Sequence, residues 1–164
     1  MPRLADFPAG GMVFLDANIF LEHLLSSEPT CTTVFQRLRA GEIRGVTSVV
    51  VLAEVRHRLL LTEAVRRGYV TRPQRALEVL RTRPDILGRL WQCDEGLNML
   101  LGGSLRVVSC TPTQFRTAQR LSLRYRLLTN DALHLATLRA HRVRHLASAD
   151  RDFLRVRSLT LWRP

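Results

Sequence analysis

The sequence has 164 residues, 46% of them hydrophobic and 24% charged, which is typical of one folded domain and unlike a disordered chain. No apolar run approaches the roughly 20 residues that cross a bilayer, and no apolar signal segment follows Met1, so we expect a cytoplasmic protein with no membrane anchor. The three cysteines are scattered without a Cys-x-x-Cys pair, which argues against a disulfide framework and a cysteine zinc site.

The charge is strongly basic. Twenty-five basic residues, all arginine, stand against 14 acidic ones and give a formal net charge of +11. A compositional bias in the genome explains arginine in place of lysine, but it does not explain the excess of positive charge. A field of this sign attracts polyanions, and the guanidinium fork pairs with phosphate oxygens, so the composition favours a nucleic-acid partner.

Apolar periodicity and turn residues predict strands that alternate with helices. In chain order we predict a strand, two helices, a strand and a long helix with Ser48 as its N-cap: Met12–Leu15, Ala17–Ser26, Thr30–Ala40, Ile43–Thr47 and Ser48–Arg67. A helix is expected to begin near Pro73, and Pro84 is expected to break it. After that break, a second helical stripe is predicted on Ile86, Leu87, Leu90 and Trp91. The last predicted elements are a strand, two helices and two strands: Leu105–Val108, Thr113–Tyr125, Asn130–His141, Arg144–Ala147 and Ser158–Trp162.

This alternation predicts an α/β fold with a mostly parallel central sheet flanked by helices. We expect residues 1–164 to form a single domain, with residues 71–103 as a helical elaboration. In such sheets, functional side chains gather beyond the carboxyl ends of the strands.

Four acidic residues are predicted at that edge. Asp16 and Asp150 each end an apolar strand, Glu54 interrupts an apolar helical segment, and Asp131 lies in the first turn of its helix. Taken singly, the aspartates could be helix or turn caps, and Glu54 could pair with an arginine.

Taken together, the four acids point to a cation site. Two carboxylates about 4 Å apart repel by about 4 kcal/mol at an effective dielectric constant near 20, so a fold that gathers four needs a counter-charge. All-oxygen ligation suits Mg²⁺ or Mn²⁺. A carboxylate cage in a basic protein therefore fits the hydrolysis of a nucleic-acid phosphodiester.

Four short segments carry a resemblance to a known family, and they occur in the family's order. They are Phe14–Phe20 (FLDANIF), Thr47–Glu54 (TSVVVLAE), Asn130–Ala136 (NDALHLA) and Ala147–Phe153 (ASADRDF). On these segments the chain resembles PIN-domain ribonucleases, and most closely the VapC-like toxins of bacterial type II toxin–antitoxin pairs.

The resemblance implies a PIN-like, Rossmann-like three-layer sandwich and a Mg²⁺- or Mn²⁺-dependent single-strand endoribonuclease whose products carry a 5′-phosphate and a 3′-hydroxyl. It assigns catalytic and metal-binding roles to four acids, Asp16, Glu54, Asp131 and Asp150. Asp152 is either a fifth metal ligand or a residue that shapes the turn. Asn18 would orient Asp16, and the Ser48 hydroxyl would lie near the metal.

The resemblance also implies partners, a small antitoxin that lays a helix into an apolar groove and a second copy of the chain in a homodimer. Two departures bear on the toxin assignment. Ser148 stands where the family usually has threonine, and residues 71–103 exceed the compact toxins, as a dimerisation or substrate-gripping arm would. The alternatives are a housekeeping RNA-processing PIN nuclease without an antitoxin and an RNA-binding module that has lost catalysis.

Among the arginines, Arg56 and Arg58 follow Glu54 closely and are our candidates for RNA contact. The three histidines His134, His141 and His145 are expected at the surface or on phosphate, because a helix end falls between the last two. The stripe from Ile86 to Trp91 is interpreted as core packing, with a contact surface for a partner as the alternative.

Overall fold

The central sheet has five strands, all parallel. A computed structural model describes residues Met1–Pro164 and places the strands in the order β3-β2-β1-β4-β5. The strands are β1 (Met12–Leu15), β2 (Arg44–Ser48), β3 (Leu105–Val108), β4 (His145–Ala147) and β5 (Thr160–Trp162). The predicted α/β class is confirmed, and the sheet is wholly rather than mostly parallel.

Seven α-helices connect the strands. They are α1 (Ala17–Leu21), α2 (Pro29–Arg39), α3 (Val49–Arg66), α4 (Ala76–Thr82), α5 (Gln92–Leu100), α6 (Pro112–Tyr125) and α7 (Thr129–Ala140). Crossovers between parallel strands are right-handed, so connections that run in opposite directions across the sheet lie on opposite faces. Connections from β1 to β3 run one way and those from β3 to β5 the other, which gives helices on both faces of the sheet.

Local sequence signals account for the helix ends. Ser48 caps α3, because its Oγ accepts a hydrogen bond from the Val51 N–H at 3.2 Å. Thr111 and Gln114 form a capping box at the start of α6. Gly68 follows α3 with φ +75°, a conformation that glycine adopts without steric cost. No helix is long and apolar enough to span a membrane.

Residues 71–103 contain short helices, and part of this segment packs with the end of α3 in a small second core. The main core contains 35 buried residues, whereas six form a satellite cluster, Ala64, Val70, Ala76, Leu80, Ile86 and Leu90. The predicted break at Pro84 is confirmed, since α4 ends at Thr82. The stripe after it lies on a 3₁₀ segment, Pro84–Arg89, rather than on a longer helix. Ile86 and Leu90 are buried as core residues, but Leu87 and Trp91 are 44% and 54% exposed.

Candidate functional site

The candidate site lies where the strand order reverses. The chain leaves β1 towards β2 on one side and leaves β4 towards β5 on the other, although β1 and β4 are neighbours. A crevice at the carboxyl ends of such strands is the usual ligand site of an open parallel sheet. Asp16 follows β1 directly, and Asp150 lies in the segment that follows β4.

The carboxylate of Asp16 is buried and accepts hydrogen bonds from several donors. Its Oδ1 accepts a hydrogen bond from the Ala17 N–H at 2.8 Å, so it caps α1. Its Oδ2 accepts from Asn18 Nδ2 at 2.8 Å and from Ser148 Oγ at 2.6 Å. Burial raises the pKa of Asp16, while His134, Ser148 and Ala17 lower it and Glu54 raises it. The cap interpretation is therefore correct for Asp16, and it coexists with a place among other acids.

Asn18 and Ser148 tie the ends of β1 and β4 together. Asn18 Nδ2 donates to Ser148 Oγ at 3.0 Å, and Asn18 Oδ1 accepts from the Ala149 N–H at 3.1 Å. Ser148 Oγ also accepts from the Asp150 N–H at 3.0 Å. Any hydroxyl at position 148 can make these bonds, so serine in place of the family's threonine leaves the network complete. Asn18 thus contacts Asp16 as predicted.

Glu54 reaches the site from the second turn of α3. Its Oε2 lies 3.8 Å from His134 Nε2 and accepts a long hydrogen bond of 3.4 Å from Asn130 Nδ2. His134 chiefly lowers the pKa of Glu54, against the effect of partial burial, and Asn130 and the charge of Arg58 lower it further. Glu54 is therefore ionised and oriented by side chains of α7.

Asp131 shows that acids from different elements meet here. Burial raises its pKa to about 6, together with the negative charges of Asp150, Asp16 and Asp152, against the opposing effect of His134. These three aspartates come from the segments after β1 and β4, and Asp131 comes from the first turn of α7. Like charges this close destabilise the ionised form, as the sequence argument required.

Asp150 and Asp152 form a turn. Asp150 Oδ1 accepts from the Asp152 N–H at 2.8 Å and caps a 3₁₀ segment, Arg151–Arg155. Asp152 in turn pairs with Arg155 at 2.8 Å. A local partner therefore holds each residue, and Asp152 already has a counter-charge from an arginine.

A divalent cation fits this donor set in its chemistry. Four carboxylates, from Asp16, Glu54, Asp131 and Asp150, offer only oxygen ligands, which hard cations prefer, and none of them is paired with an arginine. No three His, Cys, Asp or Glu side chains are already arranged around one point as metal ligands. A bound cation would offset the repulsion among these acids.

Other predicted site residues have different contacts. Ser48 is fully buried, with its hydroxyl on the Val51 N–H, so its observed role is the cap of α3. Arg56 forms a two-point ion pair with Asp94 on α5, at 2.6 and 3.0 Å. Arg58 has no ion pair, and its charge lowers the pKa of Glu54.

The sequence analysis missed one buried residue of the site. The predicted surface or phosphate-contacting position of His134 is wrong as to the surface, since it is 1% exposed and lies between Asp16 and Glu54. A signal was present, because positions three and four residues apart share a helix face, and His134 follows Asp131 by three and Asn130 by four. His141 ends α7, and His145 Nδ1 accepts from Trp162 Nε1 at 3.1 Å, away from these acids.

Solved structures share this fold. VapBC2 from Rickettsia felis, bound to a DNA fragment from its promoter, aligns with a TM-score of 0.60 at 15% identity, covering 93% of this chain and 98% of that one. The sarcin-ricin loop cleaving toxin VapC20 from Mycobacterium tuberculosis aligns with a TM-score of 0.54 at 20% identity, over 87% and 92% of the two chains. FitAcB from Neisseria gonorrhoeae aligns with a TM-score of 0.54 at 15% identity, over 92% and 96%.

No curated protein sequence matches this chain. The family model for the PIN domain matches residues 13–159, which includes every acid of the site and all but the first residue of β1. The chain therefore belongs to the PIN domain family.

Proposed function

We propose that this chain is a divalent-cation-dependent endoribonuclease that cleaves single-stranded RNA, and that it is the toxin of a toxin–antitoxin pair. One observation carries the proposal, the meeting of acids from β1, α3, α7 and the segment after β4 without an arginine partner, in a chain of net charge +11. A basic surface attracts RNA, whereas an acidic pocket repels it unless a cation intervenes.

The proposed ligands of the cation, Mg²⁺ or Mn²⁺, are Asp16, Glu54, Asp131 and Asp150. When bound, such an ion supplies a Lewis acid for a phosphodiester oxygen and a means to ionise water at neutral pH. Asn18 and Ser148 hold the Asp16 carboxylate through Oδ2. Asp152 positions Asp150 through its N–H, and its own pairing with Arg155 makes it the weakest candidate ligand.

Ser48 and Arg58 have supporting roles in this proposal. Ser48 fixes the start of α3 and so the height of Glu54 above the sheet edge. Arg58 is exposed and near Glu54, and it would contact an RNA phosphate beside the acids. Arg56 is a weaker candidate for RNA contact than Arg58, because its Nε and Nη2 already donate hydrogen bonds to the Asp94 carboxylate.

Structural relatives support the partner proposal. FitAcB, VapBC2 and a toxin–antitoxin complex from Klebsiella pneumoniae are among the structures with this fold. We propose a small antitoxin that holds off the activity, and a homodimer as the assembled form. Growth arrest on expression of the chain alone, relieved by a gene product encoded beside it, would distinguish a toxin from a housekeeping nuclease.

The direct test compares Asp16→Asn with Asp85→Asn in cleavage of a labelled single-stranded RNA with Mg²⁺ or Mn²⁺. Asparagine caps helices as well as aspartate does, so the first variant keeps α1 while it removes a charge from the site. We expect a loss of about 100-fold or more for Asp16→Asn, as for removal of a metal ligand. Asp85 pairs only with Arg83 at the surface, so its variant should keep full activity.

Full activity of Asp16→Asn would remove the mechanism. A wild-type chain that binds RNA but does not cleave it with either cation would favour the inactive RNA-binding module instead. If cells that express abundant active chain without an antitoxin grow normally, the proposed nuclease activity stands and the proposed role as a toxin is rejected.

A further inference from the structure

His134 is the histidine that the fold buries among the acids. Its Nε2 lies 3.8 Å from Asp16 Oδ1 and 3.8 Å from Glu54 Oε2, and its side chain is 2% exposed. The ring packs beside Phe14 of β1, with 6.2 Å between ring centroids. It therefore lies between the strand that ends in Asp16 and the helix that carries Glu54.

The other ring nitrogen of His134 has no partner. Nδ1 is the only buried side-chain nitrogen or oxygen atom without a hydrogen bond in the whole chain. An unpartnered buried polar atom destabilises the folded state, and a leucine at this position would avoid that cost. Nε2 instead faces two carboxylate oxygens at 3.8 Å, a distance longer than a hydrogen bond. A proton on Nε2 is the tautomer that would favour both contacts.

Two side chains of one helix face converge on the same oxygen of Glu54. Asn130 and His134 are four residues apart on α7, and both approach Oε2, at 3.4 and 3.8 Å. Glu54 Oε1 accepts no hydrogen bond from the protein. Asp131, between these two residues in sequence, is itself an acid of the site, so α7 brings one carboxylate and orients another.

We infer that His134 is a positioning residue whose Nε2 faces Glu54 Oε2, so that Oε1 is the oxygen left for a bound cation. The inference rests on the proposed function, since it concerns the same acids. Partners that orient a metal-binding side chain typically contribute 10–100-fold to metal affinity or activity. The burial cost at Nδ1 is the reason to assign His134 this role rather than simple core packing.

The test replaces His134 with glutamine or with asparagine, whose side-chain amides lie at different distances from the backbone. Glutamine places its nitrogen close to the position of histidine Nε2, whereas asparagine places it close to Nδ1. We expect His134→Gln to bind Mn²⁺ within about threefold of wild type, and His134→Asn to bind about tenfold or more weakly. Titration followed by electron paramagnetic resonance measures the affinity independently of RNA cleavage.

A double-mutant comparison separates positioning from packing. If His134 acts through Glu54, then His134→Asn should weaken Mn²⁺ binding no further once Glu54→Gln is present. If His134 only packs in the core, His134→Asn should weaken Mn²⁺ binding by the same factor with and without Glu54→Gln. Equal affinities of the Gln and Asn variants, or additive losses with Glu54→Gln, would overturn the inference.

A spectroscopic readout covers the case in which His134→Asn does not fold. In the metal-free wild-type protein, ¹⁵N NMR of the ring should show a protonated Nε2, and an unprotonated Nε2 would reject the inference. If the wild-type chain neither binds Mn²⁺ nor cleaves RNA, the proposed function fails and the inference fails with it. If the wild type does both and the variants match it, only the role of His134 fails.

Discussion

Two acidic regions of this molecule lie at opposite ends of α3 and are treated differently by the fold. At the junction with α5, Glu63 is 6% exposed and is fully satisfied, with Arg67 Nε at 2.9 Å and the Cys93 N–H at 2.8 Å. Nearby, Asp94 pairs with Arg56. In this junction each carboxylate has a cation supplied by the chain itself.

At the sheet edge the opposite holds. None of the four acids of the site pairs with an arginine, although all 25 lysine and arginine residues of the chain are arginine. The buried His134 lies within 4 Å of two of them, Asp16 and Glu54. The pKa of Asp131 is raised to about 6 by burial and by its acidic neighbours. Perturbed carboxylates in a cleft indicate function, whereas paired ones indicate structure. The difference is that the junction neutralises its carboxylates with arginines of the chain, whereas the sheet edge leaves its carboxylates without one, as our proposal of a cation site requires.

The largest expected effect on stability lies at the junction. Glu63→Gln removes the charge opposite Arg67 and weakens the cap on α5, so we expect a loss of about 2 kcal/mol in the free energy of unfolding. Urea denaturation measures it. Glu78→Gln is the matched control, because its pair with Arg75 is exposed and should contribute nothing measurable. Equal changes in both variants would erase the contrast between the two regions.

At the site, neutralising an acid should increase the free energy of unfolding instead of decreasing it. The folded-state pKa of Asp131, about 6, exceeds its ordinary value of 3.8, so the folded protein binds the extra proton and stability falls as pH rises through about 6. Without metal, Asp131→Asn should therefore be more stable than wild type at pH 8, by about 1 kcal/mol after allowance for solvent screening. The two proteins should converge at pH 4.

Thermal unfolding in EDTA at the two pH values measures this difference. Asp85→Asn, which lies outside the site, should show no such pH dependence. Lower stability of Asp131→Asn at pH 8 would mean that Asp131 is a structural cap.

The smallest effect separates two arginines of α3. Arg58→Ala should weaken binding of single-stranded RNA about threefold at about 0.1 M salt, as the loss of one phosphate contact. Arg56→Ala should change RNA affinity less and reduce the unfolding free energy slightly, because it breaks a half-exposed pair with Asp94. Fluorescence anisotropy with the uncleaving Asp16→Asn protein measures the affinity. If Arg56→Ala loses more RNA affinity than Arg58→Ala, Arg56 is an RNA contact after all.

Local patterns predicted much of the fold and part of the site. The apolar run that ends in Asp16 predicted both β1 and the cap, and Ser48 marked the start of α3. The helical stripe after Pro84 predicted the burial of Ile86 and Leu90 correctly, but Leu87 and Trp91 are exposed. The reason is that a 3₁₀ segment turns its side chains differently from an α-helix, which apolar spacing alone does not reveal.

What the sequence by itself determined is the order of strands and helices and the position of each acid at a strand or helix end, because periodicity and capping act over a few residues. The tertiary structure decided the neighbours. The strand order β3-β2-β1-β4-β5 brings Asp16 beside Ser148. The packing of helices sets His134 between Asp16 and Glu54 and pairs Arg56 with Asp94. These partners are far apart along the chain, and no local pattern carries the pairing of distant strands.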